Sequence, residues 1–250
     1  MLSKTKAFNG SIFYTLKYNM SSDNSLTQAI YPDISNPKDG YKLLNARRKN
    51  IRIPALGFGT WGCEHFDNNT MAKAVDYAIK MGYRHIDCAL VYGNEKGVGK
   101  AIKECIQDGI VKREDLFVVT KLWNTYHGMC IEGVKESLKN LGLDYVDLYL
   151  IHWPQCYKTG TELFPRGANG KMIYDNVSIV ETWKGMEECV KQGYAKHIGL
   201  SNFNVKQVNE ILQNCTIKPV ANQLERTPYL PIKALKDCCD QNNIIVTAYA

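Results

Sequence analysis

From Pro54 onward, the spacing of apolar residues along the chain alternates between two patterns. Short, almost continuously apolar runs predict strands, and the longer segments between them repeat apolar residues every three or four positions, as on one face of a helix. The strands are predicted at 55–60, 84–90, 116–119, 146–151, 195–200, 220–224 and 244–249, and the helices at 71–81, 95–107, 128–141, 179–191, 205–213 and 232–241. The pattern therefore indicates seven strands separated by six helices.

Repeated strand–helix units with apolar strands are typical of a parallel sheet covered by helices. We expect an α/β fold of the (β/α)8 TIM-barrel type, with seven of its eight strands present in this chain. The alternative is an open doubly wound sheet, which normally carries G-x-G-x-x-G between its first strand and first helix. Gly57-Phe-Gly59-Thr-Trp-Gly62 matches those letters, but a loop at 63–69 follows it instead of a helix. We therefore favour the barrel.

The amino-terminal region differs from the repeating part of the chain. Residues 1–41 are rich in Ser, Asn, Lys and Tyr and have no sustained period, so we expect a mostly disordered extension that supplies no replacement strand. Two short apolar runs, at 42–45 and 51–53, predict a small hairpin. We therefore divide the chain into an extension at 1–41 and a barrel domain at 42–250.

Composition and charge exclude several classes of protein. The net charge is +6, but residues 1–50 hold an excess of five positive charges. The predicted barrel therefore lacks the excess of positive charge that a nucleic-acid-binding surface needs. No apolar run reaches the roughly 18 residues that a membrane span needs. The nine cysteines contain no C-x-x-C pair, which favours a reducing, cytoplasmic compartment over a disulfide framework. His and Cys do not cluster at metal-ligand spacing, so we expect no metal site.

Polar residues follow most of the predicted strands. In a barrel the carboxyl ends of all strands meet at one mouth, so these residues become neighbours. They are Asp87, Tyr92, Lys121, His152, Ser201, Asn202, Gln223 and Tyr249, and the tryptophans at the same level are Trp61, Trp123 and Trp153. Taken singly, each has an ordinary interpretation as a solvated strand end or a core side chain. Their convergence on one face favours a functional site.

Three of these residues together fit a tyrosine general acid tuned by a lysine and a carboxylate. A tyrosine titrates near ~10, a nearby lysine ammonium lowers that pKa, and a carboxylate keeps the lysine charged and oriented. Asp87, Lys121 and Tyr92 fit these roles, and His152 could hold a carbonyl oxygen beside Tyr92. We find no nucleophile with its own base and no paired carboxylates. A proton donor of this kind needs a hydride from a cofactor, which indicates carbonyl reduction.

The motifs around these residues resemble the aldo-keto reductase family, most closely its aldose and aldehyde reductases. The matching segments are Gly82-Tyr-Arg-His-Ile-Asp-Cys-Ala89, Tyr92-Gly-Asn-Glu95, Lys121-Leu-Trp123, Leu150-Ile-His152-Trp-Pro154, Gly199-Leu-Ser-Asn-Phe203, Asn222-Gln-Leu-Glu225 and Val246-Thr-Ala-Tyr249. They lie in the family order between residues 43 and 250. The resemblance implies NADPH as the cofactor and a small aldehyde or ketone as the substrate.

The resemblance also assigns roles to the residues at the mouth. It makes Tyr92 the proton donor, with a pKa tuned by Lys121 and Asp87. Asp87 is also expected to border the cofactor, and His152 is expected to orient the substrate carbonyl. The nicotinamide carboxamide is expected at Ser201, Asn202 and Gln223, with Tyr249 stacked on the ring. The cofactor and substrate mouth is expected at Gly59, Thr60 and Trp61, and the apolar pocket walls at Trp123 and Trp153.

Relatives in the family continue beyond the seventh strand, through a pyrophosphate clamp, an eighth strand, a basic Lys-Ser segment and a substrate loop. Because this sequence ends at Ala250, we expect a chain truncated after strand seven. Two hypotheses stand: an NADPH-dependent reductase, expected to be a monomer if complete, or a catalytically weak or inactive relative with impaired cofactor binding. The physiological substrate is not indicated.

Overall fold

The computed structural model describes residues 51–62 and 67–250, together with two short strands nearer the amino terminus, β1 (Ile12–Tyr14) and β2 (Leu43–Asn45). β2 pairs antiparallel with β3 (Arg52–Pro54), which confirms the predicted hairpin. Apart from β1, the extension at 1–41 lies outside the described residues, so its predicted disorder stays a prediction.

Within residues 51–62 and 67–250, seven parallel strands and six α-helices follow in alternation, as the sequence predicts. The strands are β4 (Leu56–Gly59), β5 (His85–Asp87), β6 (Phe117–Leu122), β7 (Val146–Ile151), β8 (Ala195–Ser201), β9 (Ala221–Glu225) and β10 (Ile245–Tyr249). The helices are α1 (Asn68–Lys80), α2 (Glu95–Gln107), α3 (Cys130–Leu141), α4 (Ile179–Lys191), α5 (Val205–Asn214) and α6 (Lys233–Gln241). None of these helices is long and apolar enough to cross a bilayer.

The short strand β1 closes the sheet into a barrel. It pairs antiparallel with β4 on one side and with β10 on the other. The expectation that the amino-terminal region supplies no strand is therefore wrong. A strand of three residues is too short for its period to be recognised, whereas the unpaired edges of β4 and β10 favour any segment that can pair with both.

Local sequence explains where several helices begin. Ser178 and Asn204 precede α4 and α5, and each accepts a hydrogen bond from the backbone N–H three residues later. The residues at those positions, Glu181 and Gln207, hydrogen-bond back to the cap, which completes a capping box at both helices. Asp67 caps α1 by accepting from the Thr70 N–H at 2.7 Å.

The period of two along the strands decides which residues enter the barrel interior. On β6, Phe117 and Val119 pack in the inner cluster, which also contains Ile51 and Ile53 from the hairpin. Lys121 is two residues further along the same face of β6. On β7, Leu148 and Leu150 belong to the same inner cluster, so His152 continues that face. The apolar alternation thus aims both polar side chains at the axis of the barrel.

Two glycines allow α2 to approach its neighbouring helices closely. The Gly97 N–H donates to Asn68 Oδ1 at 2.8 Å, at the first turn of α1. A Cβ atom added to Gly99 would lie only 2.1 Å from the carbonyl oxygen of Leu141, at the end of α3. These positions therefore need glycine because backbone occupies the space where a side chain would be.

A buried histidine follows β6. His127 directly follows the short 3₁₀ turn Asn124–Tyr126 and is almost completely buried. Burial lowers the pKa of His127 to about 4, because the charged form loses its hydration in the interior. His127 is therefore neutral in the folded protein at physiological pH.

We expect Gly99→Ala to reduce the free energy of unfolding by about 2 kcal/mol, because the new methyl group would collide with the Leu141 carbonyl. In an unobstructed helix interior the same change would stabilise the protein by up to about 1 kcal/mol. Urea denaturation measures the difference. Lys103→Ala, at an exposed position of α2, is the control and should change stability by less than about 0.5 kcal/mol. A Gly99→Ala protein at least as stable as the wild type would contradict this packing.

We expect the stability of the protein to fall at mildly acidic pH, in part because of His127. The folded state depresses its pKa from 6.5 to about 4, so its contribution is complete above pH 6.5 and is lost as the pH falls towards 4. That contribution amounts to about 3 kcal/mol at most. Urea denaturation from pH 7 to pH 4 should give a shallower decline for His127→Gln than for the wild type. Parallel curves would contradict the assignment.

Candidate active site

The predicted polar residues meet at the carboxyl ends of the strands. Asp87 is the last residue of β5, and Tyr92 lies in the 3₁₀ turn Leu90–Tyr92 that follows it. Lys121 lies near the end of β6, and His152 is the first residue after β7. The structure thus brings together the four residues for which sequence predicts catalytic roles.

Lys121 is the centre of this group. Its Nζ atom donates to Asp87 Oδ1, to the Cys88 carbonyl oxygen at 2.7 Å and to the Tyr92 hydroxyl oxygen at 3.2 Å. The side chains of Lys121 and Asp87 are both completely buried. Because an ammonium group has three protons, these three acceptors satisfy it fully.

This arrangement fixes the direction of the Tyr92 hydroxyl. Lys121 can only donate, so the Tyr92 oxygen must accept, and the hydroxyl proton is left to donate elsewhere. The Lys121 ammonium also lies 4.9 Å from the centre of the Tyr92 ring. The geometry suits a tyrosine that gives a proton to a bound molecule.

Burial and charge act in opposite directions on the pKa values of this pair. Burial opposes the charge on Lys121, but Asp87 and Tyr92 outweigh it, so the pKa of Lys121 is raised. At Tyr92 burial is also the largest effect, and it raises the pKa even though Lys121 lowers it. The expectation of a net lowered Tyr92 pKa is therefore not met here. Tyr92 holds its proton at neutral pH, as an acid must.

His152 lies beside Tyr92 with its ring edge-on. The ring centroids are 5.7 Å apart, and Trp123 packs against the other side of His152 at 5.3 Å. Burial, and secondly the charge of Lys121, hold the pKa of His152 well below its usual value, so the ring is neutral. Its Nδ1 atom is buried and has no hydrogen-bond partner. A proton there would be an unsatisfied donor, which favours the tautomer protonated at Nε2.

The residues predicted to hold a carboxamide lie at the ends of β8 and β9, and Tyr249, predicted to stack on the ring, lies at the end of β10. Asn202 donates from Nδ2 to the His152 carbonyl oxygen at 2.9 Å and to Ser201 Oγ at 3.1 Å. Its Oδ1 accepts from the Tyr249 hydroxyl at 2.6 Å. Gln223 donates from Nε2 to Asp87 Oδ2 at 2.7 Å. The hydrogen bond from the Asn202 N–H to the Gln223 carbonyl oxygen joins these contacts into one network that connects β5, β7, β8, β9 and β10.

The backbone of Asn202 adopts a left-handed conformation, with φ of 64°. Asparagine tolerates this region better than most residues because its side chain can hydrogen-bond locally, as it does here to Ser201. The Asn202 N–H donates to the Gln223 carbonyl oxygen at 2.9 Å. These hydrogen bonds hold the turn after β8 so that the side-chain amide of Asn202 lies at the mouth of the barrel.

These residues fit a nicotinamide carboxamide in their donor and acceptor chemistry. Gln223 uses Nε2 on Asp87, which leaves its Oε1 as an acceptor for an amide N–H. Ser201 contributes a hydroxyl group, which can donate or accept. Tyr249, half-buried at the end of β10, supplies a ring beside the site.

Gly59, Thr60 and Trp61 form the turn at the end of β4. Thr60 is completely buried, and its N–H and hydroxyl both donate to the Asp87 carbonyl oxygen at 2.9 Å. Trp61 is 55% exposed, and its ring centroid lies 5.3 Å from that of Tyr92. The turn therefore contacts Asp87 through Thr60 and the ring of Tyr92 through Trp61.

Aromatic side chains form one side of this opening. Trp123 packs against Phe164 with the ring centroids 5.4 Å apart, and its Nε1 donates to the Leu163 carbonyl oxygen at 2.6 Å. Trp153 and Phe164 are partly exposed in the loop that follows β7. The aromatic loop residues thus extend the predicted wall of Trp123 and Trp153.

Sequence reasoning missed two contributors. One is the Cys88 carbonyl oxygen, which no side-chain pattern can indicate. The other is Asn94, whose Nδ2 donates to the Thr60 carbonyl oxygen at 2.8 Å. A buried Asn directly before a helix is the signal that could have singled it out. Among residues 51–62 and 67–250, no group of His, Cys, Asp or Glu is arranged to hold a metal ion.

Comparisons with known proteins show the family of this chain. The sequence model of the aldo/keto reductase family matches residues 55–250. Aldo-keto reductase family 1 member A1 from Gallus gallus is 45% identical over 202 residues, and estradiol 17 beta-dehydrogenase 5 from Mus musculus is 47% identical over 205. These alignments cover 80% and 79% of this chain, and 61% and 62% of the relatives. The chain thus spans about three-fifths of the length of the curated relatives that it matches.

A solved structure gives the same result in three dimensions. The aldose reductase from Schistosoma japonicum superposes with a TM-score of 0.76 and 42% identity. The superposition covers 80% of this chain and 66% of that one. The match in sequence, in barrel architecture and along most of the described residues shows that the chain belongs to the aldo/keto reductase family.

Proposed function

We propose that the protein reduces aldehydes or ketones to alcohols with NADPH, with Tyr92 as the proton donor. The observation that carries the proposal is the fully satisfied Lys121 ammonium, which donates to the Tyr92 oxygen and leaves the hydroxyl proton free for a substrate. NADPH would supply the hydride that reduces the carbonyl carbon. The chain's own residues position both reactants and supply the proton.

In this mechanism the substrate carbonyl oxygen lies between Tyr92 and His152. The neutral His152 donates from Nε2 and orients the oxygen, and Tyr92 gives up its proton as negative charge develops there. Lys121 stabilises the tyrosinate that forms, because its positive charge is buried beside the oxygen and cannot be screened by water. Asp87 keeps that charge in place.

The cofactor would be held by the strand ends that follow. Gln223, with support from Ser201 and Asn202, would bind the carboxamide, and the Tyr249 ring would stack on the nicotinamide. The hydrogen bond between Gln223 and Asp87 links this group to the acid, so the cofactor and proton donor are placed by one network. Gly59, Thr60 and Trp61 would border the cofactor on the β4 side.

The walls of the opening favour an apolar or aromatic substrate. Trp61, Trp123, Trp153 and Phe164 present rings, and the two tryptophans nearest the acid lie in contact with Tyr92 or His152. The proposed compartment is the cytoplasm, since all eight cysteines among the described residues are free.

We expect Tyr92→Phe to lower kcat/KM for an aromatic aldehyde by about a thousandfold, because the ring remains while the proton donor is lost. The decrease in NADPH absorbance measures the rate. Tyr77→Phe, which removes a hydroxyl from an exposed position of α1, is the matched control and should keep the wild-type rate. Equal activity in the Tyr92→Phe and wild-type proteins would rule out Tyr92 as the acid.

We expect NADPH to raise the melting temperature of the protein, since a ligand that binds the native state stabilises it by about 2.7 kcal/mol at a hundred times its Kd. Differential scanning fluorimetry over a range of NADPH concentrations measures the shift. Tyr92→Phe should retain it, because that change removes the acid and leaves the proposed carboxamide site. An unchanged melting temperature would favour the other hypothesis, a relative with impaired cofactor binding.

A further inference from the structure

Asn94 connects the two sides of the candidate active site. It follows Gly93, whose φ of 67° turns the chain from Tyr92 into α2. The Asn94 side chain is nearly fully buried, with 2% of the residue exposed, and its Nδ2 donates to the Thr60 carbonyl oxygen at 2.8 Å. This contact joins the turn after β4 to the turn after β5.

The contact completes the restraint of Thr60. The Thr60 N–H and hydroxyl are held by the Asp87 carbonyl oxygen, both at 2.9 Å, and Asn94 holds its carbonyl oxygen. The main chain is therefore fixed on both sides of the Thr60 side chain. Trp61 is the next residue, so its starting position and direction are determined by these three hydrogen bonds.

Trp61 is mostly exposed and has little packing to hold it. More than half of its surface is open to solvent, and its ring contacts Tyr92 at 5.3 Å with the planes tilted by 52°. A tilted contact between two rings is too weak to keep an exposed side chain in one place. The backbone restraint is therefore important for where the ring lies.

A contribution to stability does not explain why asparagine occupies position 94, because one of its polar atoms is buried without a partner. The Asn94 Oδ1 atom is buried and has no hydrogen-bond partner, and an unsatisfied buried acceptor destabilises the folded state. An apolar residue at this position would avoid that destabilisation. The amide is therefore better explained by what its donor does at Thr60 than by packing.

We propose that Asn94 is a positioning residue that holds Trp61 over the ring of Tyr92 and so shapes the substrate mouth. It acts through the Thr60 carbonyl oxygen and does not touch the reacting atoms. The proposal rests on the proposed carbonyl reductase function for its consequence in catalysis, but the placement of Trp61 can be tested without activity.

The first test follows Trp61 directly. Asn94→Leu keeps the burial and removes the donor, and acrylamide quenching of the Trp61 emission should then increase. Trp61→Phe, measured alone and with Asn94→Leu, isolates the Trp61 signal from the other three tryptophans. Asn94→Ser is a second variant, whose short side chain cannot reach Thr60, in case the leucine prevents folding.

The second test uses kinetics. Asn94→Leu should raise KM for an aromatic aldehyde about tenfold, which corresponds to about 1.4 kcal/mol of lost binding. Three quantities should remain as in the wild type: kcat, the pH profile of kcat, and KM for a two-carbon aldehyde. Such an aldehyde is too small to contact the Trp61 ring. A merely structural defect would change kcat and both KM values together. Asn214→Ala, which removes an Asn hydrogen bond to the Glu210 carbonyl oxygen at the carboxyl end of α5, is the matched control and should leave all four unchanged.

Unchanged Trp61 quenching in both folded variants would overturn the proposal, as would a shifted pH profile with an unchanged KM. A wild-type protein without reductase activity would refute the proposed function, while the quenching experiment would still decide whether Asn94 places Trp61. The two failures are therefore distinguishable.

Discussion

The buried ion pair between Lys121 and Asp87 is the interaction on which the candidate active site depends. Two charges are removed from water at the axis of the barrel, which is tolerated only because every proton of the ammonium and both carboxylate oxygens have partners. Removing either partner would leave an uncompensated buried charge. The geometry of Tyr92, the amide of Gln223 and the turn after β5 are all arranged around this requirement.

Much of the barrel could be predicted because its signals are local. Helix α4 was predicted with its observed bounds, since its capping box and apolar face lie within one segment. The predicted strand at 84–90 was too long, because only His85–Asp87 pairs with its neighbours and Leu90–Tyr92 turns. Periodicity describes the apolar residues of both segments but cannot tell where a ladder of hydrogen bonds stops.

The sequence could predict which residues form the candidate site, but not how burial and charge together change their pKa values. Convergence of the strand ends is a property of the architecture, so Asp87, Tyr92, Lys121 and His152 were found together. The net effect on the Tyr92 pKa depends on how much water surrounds the ring, which no sequence motif specifies. The hydrogen bonds of Asn94 to Thr60 and of Gln223 to Asp87 join residues 34 and 136 positions apart. They depend on the tertiary fold, so no local sequence pattern predicts them.

The antiparallel strand β1 has a consequence for how this barrel folds. Its pairing joins Tyr14 to Ala248, so the final ladder connects residues more than two hundred positions apart. Contacts of such high sequence separation form slowly, because a long loop must close before they contribute any stability. During synthesis β1 has no partner on one side until β10 has left the ribosome. We therefore expect closure of the barrel to be a late folding event, because one edge of β10 stays unpaired until β1 reaches it.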